Sequence, residues 1–274
     1  IAKAGKVEIL NSSKWLNQVL IKTSDQAALN KISQYSFVKK RSPIASRPSA
    51  ISEDKFTETI TATNVSQTVA AAKASSLNYG NSSKQVNIHE GEFLHNKGFQ
   101  GKGIKIAVLD AGFFKYQNIA AFDSLKINGQ LKMTWDFIDN NASVNEDDAH
   151  GMQCLSVLAA NLPGAFIGTA PASSYYLFRT EDVASEFPVE EQNWLAAAEK
   201  ADSIGVQLIS SSLGYNTFDD ASFNYTYADM NGKKAMITRG ATMASQKGMI
   251  VMNSAGNSGN SAWKYIIAPA DALD

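Results

Sequence analysis

The sequence predicts an α/β fold, a parallel sheet with helices on both faces, preceded by a small α/β unit. Three observations carry this. Short apolar runs at residues 104–109, 175–179, 206–211 and 249–253 alternate with segments of helical apolar spacing at 151–160, 189–204 and 229–247. With 274 residues, 44% of them hydrophobic, the chain can bury a large core. Between Ser42 and Ser83 the composition shifts to Ser, Thr, Ala and Asn, which marks an exposed linker between a small unit and a large one.

In chain order, residues 15–22 read as a strand. Residues 25–34 then place Ala28, Leu29 and Ile32 on one face of a short helix, and Phe37-Val38 offers a second strand. The expected domains are 1–45, a partial leading unit; 46–78, a linker; and 79–274, the large α/β domain. In that domain the run ending at Leu109 is followed at once by Asp110, and the runs ending at Ser211 and Asn253 lead into Ser212-Leu213-Gly214 and Ser254-Ala255-Gly256-Asn257. In a parallel sheet, ligands bind beyond the carboxyl ends of the strands, which is where all of these residues fall.

Charge and cysteine content narrow the function classes. A net charge of -1 gives no basis for a nucleic-acid or anionic-membrane partner. The charge is unevenly spread: residues 1–79 carry 11 Lys+Arg against 5 Asp+Glu, and the rest carry 14 against 21, so the two units attract. Cys154 is the only cysteine, which excludes an internal disulfide framework. No apolar run approaches the roughly 18 residues of a membrane span. A chain that opens on Ile1 without a signal-peptide pattern and closes after Pro269 reads as a fragment of a longer product.

Asp110, His150 and Asn257 are an acid, a base and an amide donor. His150-Gly151 opens a small, apolar helical segment, so the imidazole can face a cleft while a carboxylate orients it. His89 and His95 lie in a connecting stretch and read as surface or packing residues. Cys154, four residues beyond His150, shares its helical face and reads as a buried packing residue. Gly101-Lys-Gly103 precedes its strand, so it cannot present a helix amino terminus to a pyrophosphate.

Four blocks, taken in order, resemble the subtilisin family of serine proteases: residues 101–112 around Asp110, 148–151 around His150, 209–214 and 253–257. The resemblance implies a subtilisin-like sheet, here incomplete, and assigns roles. Asp110 would orient and charge-stabilise the imidazole, and His150 would act as general base and then acid. Asn257 would donate to the oxyanion, while Ser212, Leu213, Gly214, Ser254, Ala255 and Gly256 would bound the pocket for the residue before the scissile bond. It further implies polypeptide substrates, a secreted, periplasmic or cell-surface location, no required cofactor, and calcium as a structural ion. The oxygen-rich stretch 139–148 matches no EF-hand spacing and reads as a solvated acidic loop. Residues 15–40 resemble the later half of this family's inhibitory propeptide, Tyr79-Gly80 resembles the start of a mature enzyme, and maturation would cut between Ser42 and Tyr79.

Two departures stand out. The family's Gly-Thr-Ser-x-Ala nucleophile motif is absent; residues 240–244, Gly-Ala-Thr-Met-Ala, imitate it but precede the oxyanion block and read as helix packing. The serine is therefore expected after Asp274, and the chain by itself is expected to be an inactive zymogen fragment. Met152 stands where the family usually has threonine. Two other readings are a catalytically inactive peptide-binding module and a hydrolase with Asp110 as nucleophile; the second leaves the His and Asn blocks without a role.

Overall fold

The computed structural model describes residues 1–45, 77–145 and 148–273. The expected linker and the bonds where maturation would occur lie largely outside the described residues.

The amino-terminal unit is an antiparallel hairpin, β1 (Glu8–Ser13) and β2 (Gln18–Lys22), followed by α1 (Gln26–Ser33). Asp25 caps α1 by accepting from the Ala28 amide, and the helix buries Ala28 and Ile32. Two local expectations are corrected. Residues 14–17 form the hairpin turn, with Asn17 left-handed at φ 51°, so the strand begins only at Gln18. Phe37 sits in a turn, 66% exposed and stacked on Tyr35, and among the described residues the small sheet holds only β1 and β2.

In the large domain, α2 (Ser83–Asn87) and α3 (Gly91–Asn96) lead into β3 (Lys105–Asp110), then α4 (Asp123–Ile127) and β4 (Leu131–Asp136). There follow α5 (His150–Ala159), the small β5 (Asn161–Leu162) and β6 (Phe166–Ile167) ribbon, β7 (Ser174–Arg179), α6 (Val189–Ser203), β8 (Leu208–Ser211), α7 (Met236–Gln246) and β9 (Ile250–Asn253). The main sheet is parallel, five-stranded and ordered β4-β7-β3-β8-β9. The helix expected at 229–247 starts late, at Met236. Upstream, Thr226 and Asp229 close a capping box, and Gly232 adopts φ 76°, a conformation that breaks a helix.

β3 is central and buried, and its side chains alternate between two cores. Ala107 and Leu109 pack with Phe178, Trp194, Ile209 and Ile237 under α6 and α7. Ile106 and Val108 pack with Leu155, Ala159, Tyr175 and Leu177 under α5. Helices thus cover both faces, as the run of apolar residues in β3 requires. The imitation motif at 240–244 lies inside α7, where a β-carbon on Gly240 would stand 3.0 Å from Leu195 Cδ1, so it is packing.

The hairpin rests on α6. Glu199 accepts hydrogen bonds from Ser13 Oγ, from the Lys14 amide at 2.9 Å and from the Trp15 amide at 3.1 Å. Asn11 exchanges side-chain bonds with Gln192 and Asn193, at 2.8 and 2.9 Å. Further along, the Val189 amide at the start of α6 donates to Ile44 O at 3.0 Å.

Candidate active site

Strand register sets the site. Leu109 of β3 is level with Ser211 of β8, which is level with Asn253 of β9. The residues that follow each strand therefore emerge at one carboxyl edge. Asp110 is fully buried there. Its Oδ1 accepts from the Ala111 amide at 2.8 Å and from His150 Nδ1 at 2.7 Å.

His150 is the first residue of α5, and Asp148 accepts from its backbone amide. The next residue explains the closeness of helix and strand. A β-carbon on Gly151 would stand 2.5 Å from Gly112 O and 2.7 Å from Asp110 Cβ, so only glycine lets α5 approach β3 this far. Cys154 is half-buried, not fully buried as expected. Its sulfur lies 3.9 Å from His150 Nδ1, because one helical turn stacks it under the imidazole.

Burial pushes the Asp110 carboxyl up, against the hydrogen bond and charge of His150. Burial pulls His150 down, but the hydrogen bonds to Asp110 and Cys154 and the Asp110 charge outweigh it and push the imidazole up to about 10.

Arg179, at the end of β7, is a buttress that the sequence reading missed. Its Nε donates to Ala111 O at 3.1 Å, and its Nη1 pairs with Asp136 at 2.7 Å and Asp139 at 3.1 Å. It thereby fixes the main chain beside Asp110. The only hint in the sequence was an arginine closing an otherwise apolar strand.

Ser212-Leu213-Gly214 and Ser254-Ala255-Gly256 run on from β8 and β9. Asn253 ties them together: its Nδ2 donates to Leu213 O at 2.9 Å and to Ser254 O at 2.8 Å. Leu213 turns its side chain into the core, so it offers the cleft only backbone. Asn257 is exposed just past Gly256, on the same sheet edge and two strands over from Asp110. The structure thus brings Asp110 and His150 into contact and sets Asn257 on their edge of the sheet.

His89 is exposed, whereas His95 is buried, bonded to Tyr79 Oη at 2.8 Å and Thr169 O at 2.9 Å, both consistent with non-catalytic roles. Among the described residues of the stretch 139–148, Asp139 pairs with Arg179 and Asp148 accepts from the His150 amide. Among the described residues the acidic cluster forms instead from Glu181, Glu186 and Glu190. Two oxygens of Glu190 already accept from the Asp182 and Phe187 amides, and Glu181 accepts from Tyr215 Oη.

Residues 101–272 match the model of the subtilase family, peptidase S8, and residues 1–75 match a peptidase S8 propeptide domain of Bacteroidota. Among curated proteins the chain is 28% identical over 171 residues to Thermitase of Thermoactinomyces vulgaris, covering 61% of this chain and 52% of that protein. It is 24% identical over 180 residues to Subtilisin BL of Lederbergia lenta, covering 65% and 57%. The chain therefore spans little more than half the length of these relatives. Fervidolysin from Fervidobacterium pennivorans, described as a keratinolytic enzyme related to subtilisin, shares the fold with a TM-score of 0.51 at 18% identity, covering 72% of this chain and 28% of that one. No helix among the described residues is long and apolar enough to cross a membrane.

Proposed function

This chain belongs to the subtilase family, and on that premise we propose that it carries the acid, base and oxyanion donor of a secreted serine endopeptidase together with its propeptide. In the neutral imidazole, Asp110 holds the His150 proton at Nδ1, and in that form Nε2 is the nitrogen that takes the proton of a serine hydroxyl. As that oxygen bonds to the substrate carbonyl carbon, the carbonyl electron pair moves onto oxygen, and the Asn257 carboxamide donates to the oxyanion. His150 then passes the proton to the leaving amine, the acyl ester forms, and water completes hydrolysis by the same steps. No cofactor enters. The serine comes from polypeptide beyond Asp274, so residues 1–274 alone are inactive.

The observation that carries this reading is the 2.7 Å contact between a wholly buried Asp110 carboxylate and the His150 ring at the carboxyl edge of a parallel sheet. The amino-terminal segment whose hairpin docks on α6, with 11 Lys+Arg against 5 Asp+Glu over residues 1–79, acts as the inhibitory propeptide of an acidic domain.

The test is a fluorophosphonate probe applied to the full-length protein. A serine after Asp274 should be labelled, and His150→Ala should abolish labelling. Equal labelling in that variant would remove His150 from the mechanism. A full-length protein with no labelled serine would instead be a peptide-binding module on a protease scaffold.

A further inference from the structure

One side chain fills the space between the two extended edges. A β-carbon on Gly214 would stand 2.5 Å from Ile267 Cδ1 and 2.6 Å from its Cγ1. A β-carbon on Gly256, across the gap, would stand 2.7 and 2.8 Å from the same two atoms. Both glycines therefore face a single isoleucine, which is only 9% exposed. Two facing glycines would otherwise leave a slot wide enough for a large side chain.

The plug is held in place by the main chain. The Ile267 amide donates to Ala255 O at 3.2 Å, on one edge. Ala268 pairs in both directions with Tyr215, at 2.8 and 3.1 Å, just beyond the other. The segment that carries the isoleucine is thus laced to both walls, and it cannot swing out without breaking those bonds. Forcing a larger group past a side chain so fixed means off-rotamer strain or backbone displacement.

We infer that Ile267 closes the pocket for the residue before the scissile bond, so that the enzyme cleaves after small residues, glycine, alanine or serine, and rejects aromatic ones. This rests on the protease reading above and adds the substrate class to it. Gly214 and Gly256 have no side chain with which to set this preference. The determinant comes from a third segment, more than fifty residues after Gly214 and eleven after Gly256.

The test uses the full-length protein and succinyl-Ala-Ala-Pro-Xaa p-nitroanilides with Xaa as Gly, Ala, Phe or Tyr. The unmodified enzyme should favour Ala over Phe in kcat/KM by about tenfold or more, and Ile267→Gly should move that ratio toward Phe by a similar factor. Ile267→Val, which keeps a β-branched side chain, should move it less in the same direction and guards against a folding defect in the glycine variant. A preference for Phe in the unmodified enzyme, or a ratio unchanged in both variants, overturns the inference while fluorophosphonate labelling keeps the protease reading intact. If no substrate is cleaved and no serine is labelled, both fall.

Discussion

Asp110 Oδ1 and His150 Nδ1 lie 2.7 Å apart, the carboxylate wholly buried and the imidazole 25% exposed. The pair joins the end of the central strand to the first residue of a helix, and neither partner reaches the other without Gly151 between helix and strand.

The first prediction concerns the proton they share. The folded imidazole is raised from 6.5 to about 10, so its protonated form stabilises the fold fully below pH 6.5 and that contribution is lost as pH rises through about 10. Asp110→Asn removes the charge and should return the His150 titration to a lower pH, read by NMR of the three histidine rings. The fall in stability between those two pH values should flatten in the variant. An imidazole that titrates at the same pH in both proteins would show that Asp110 does not set its proton affinity.

Gly151→Ala should separate helix and strand. The added methyl meets Gly112 O and Asp110 Cβ inside contact distance. Overpacking of this kind costs about 1–3 kcal/mol. Thermal unfolding should show the loss, and fluorophosphonate labelling of the full-length protein should slow even where the variant remains folded. Unchanged labelling would mean that the site tolerates a wider gap than this geometry implies.

Glu191 is buried in α6 and accepts from Tyr225 Oη at 2.7 Å and the Ile237 amide at 2.8 Å. Burial raises its carboxyl from 4.5 to about 7 against those two bonds. A raised folded value means that the stabilising contribution is complete below pH 4.5 and lost as pH climbs through about 7. Glu191→Gln keeps an acceptor and cannot ionise, so it should stabilise the protein above neutrality by up to about 3 kcal/mol. Denaturant unfolding in mildly acidic and in alkaline buffer checks the sign; a variant weaker in the alkaline buffer would show that the ionised form is the favoured one.

Glu199→Ala should loosen the hairpin. It removes the acceptor of the Lys14 and Trp15 amides and of Ser13 Oγ. Hydrogen bonds to a charged group contribute about 1.5–3 kcal/mol, so exchange protection of those two amides should fall by about tenfold or more. Unchanged exchange would place the anchor elsewhere, for example in the Asn11, Gln192 and Asn193 contacts.

The central strand and the helix after it were legible in the sequence for a physical reason. β3 is buried on both faces, so it reads as an unbroken apolar run, and the acid and the base stand at its end and at the helix start. β1, Glu-Ile-Leu-Asn-Ser-Ser, was not legible, because Asn11 and Ser13 are spent on polar contacts with α6 and break the apolar alternation. β4 sits at the sheet edge and is only partly buried, which weakens its pattern. Arg179 and Ile267 act through partners far along the chain, so no local spacing announces them.

The grip on the hairpin has a consequence for how such units diverge. Glu199 takes hold of main-chain N–H groups at Lys14 and Trp15, which every residue except proline provides. The exposed Lys14 side chain is free to drift without weakening that grip, whereas Trp15 also packs on the core beneath. Leader segments that differ at Lys14 but keep the Asn11, Ser13 and Trp15 contacts should therefore dock interchangeably on this helix.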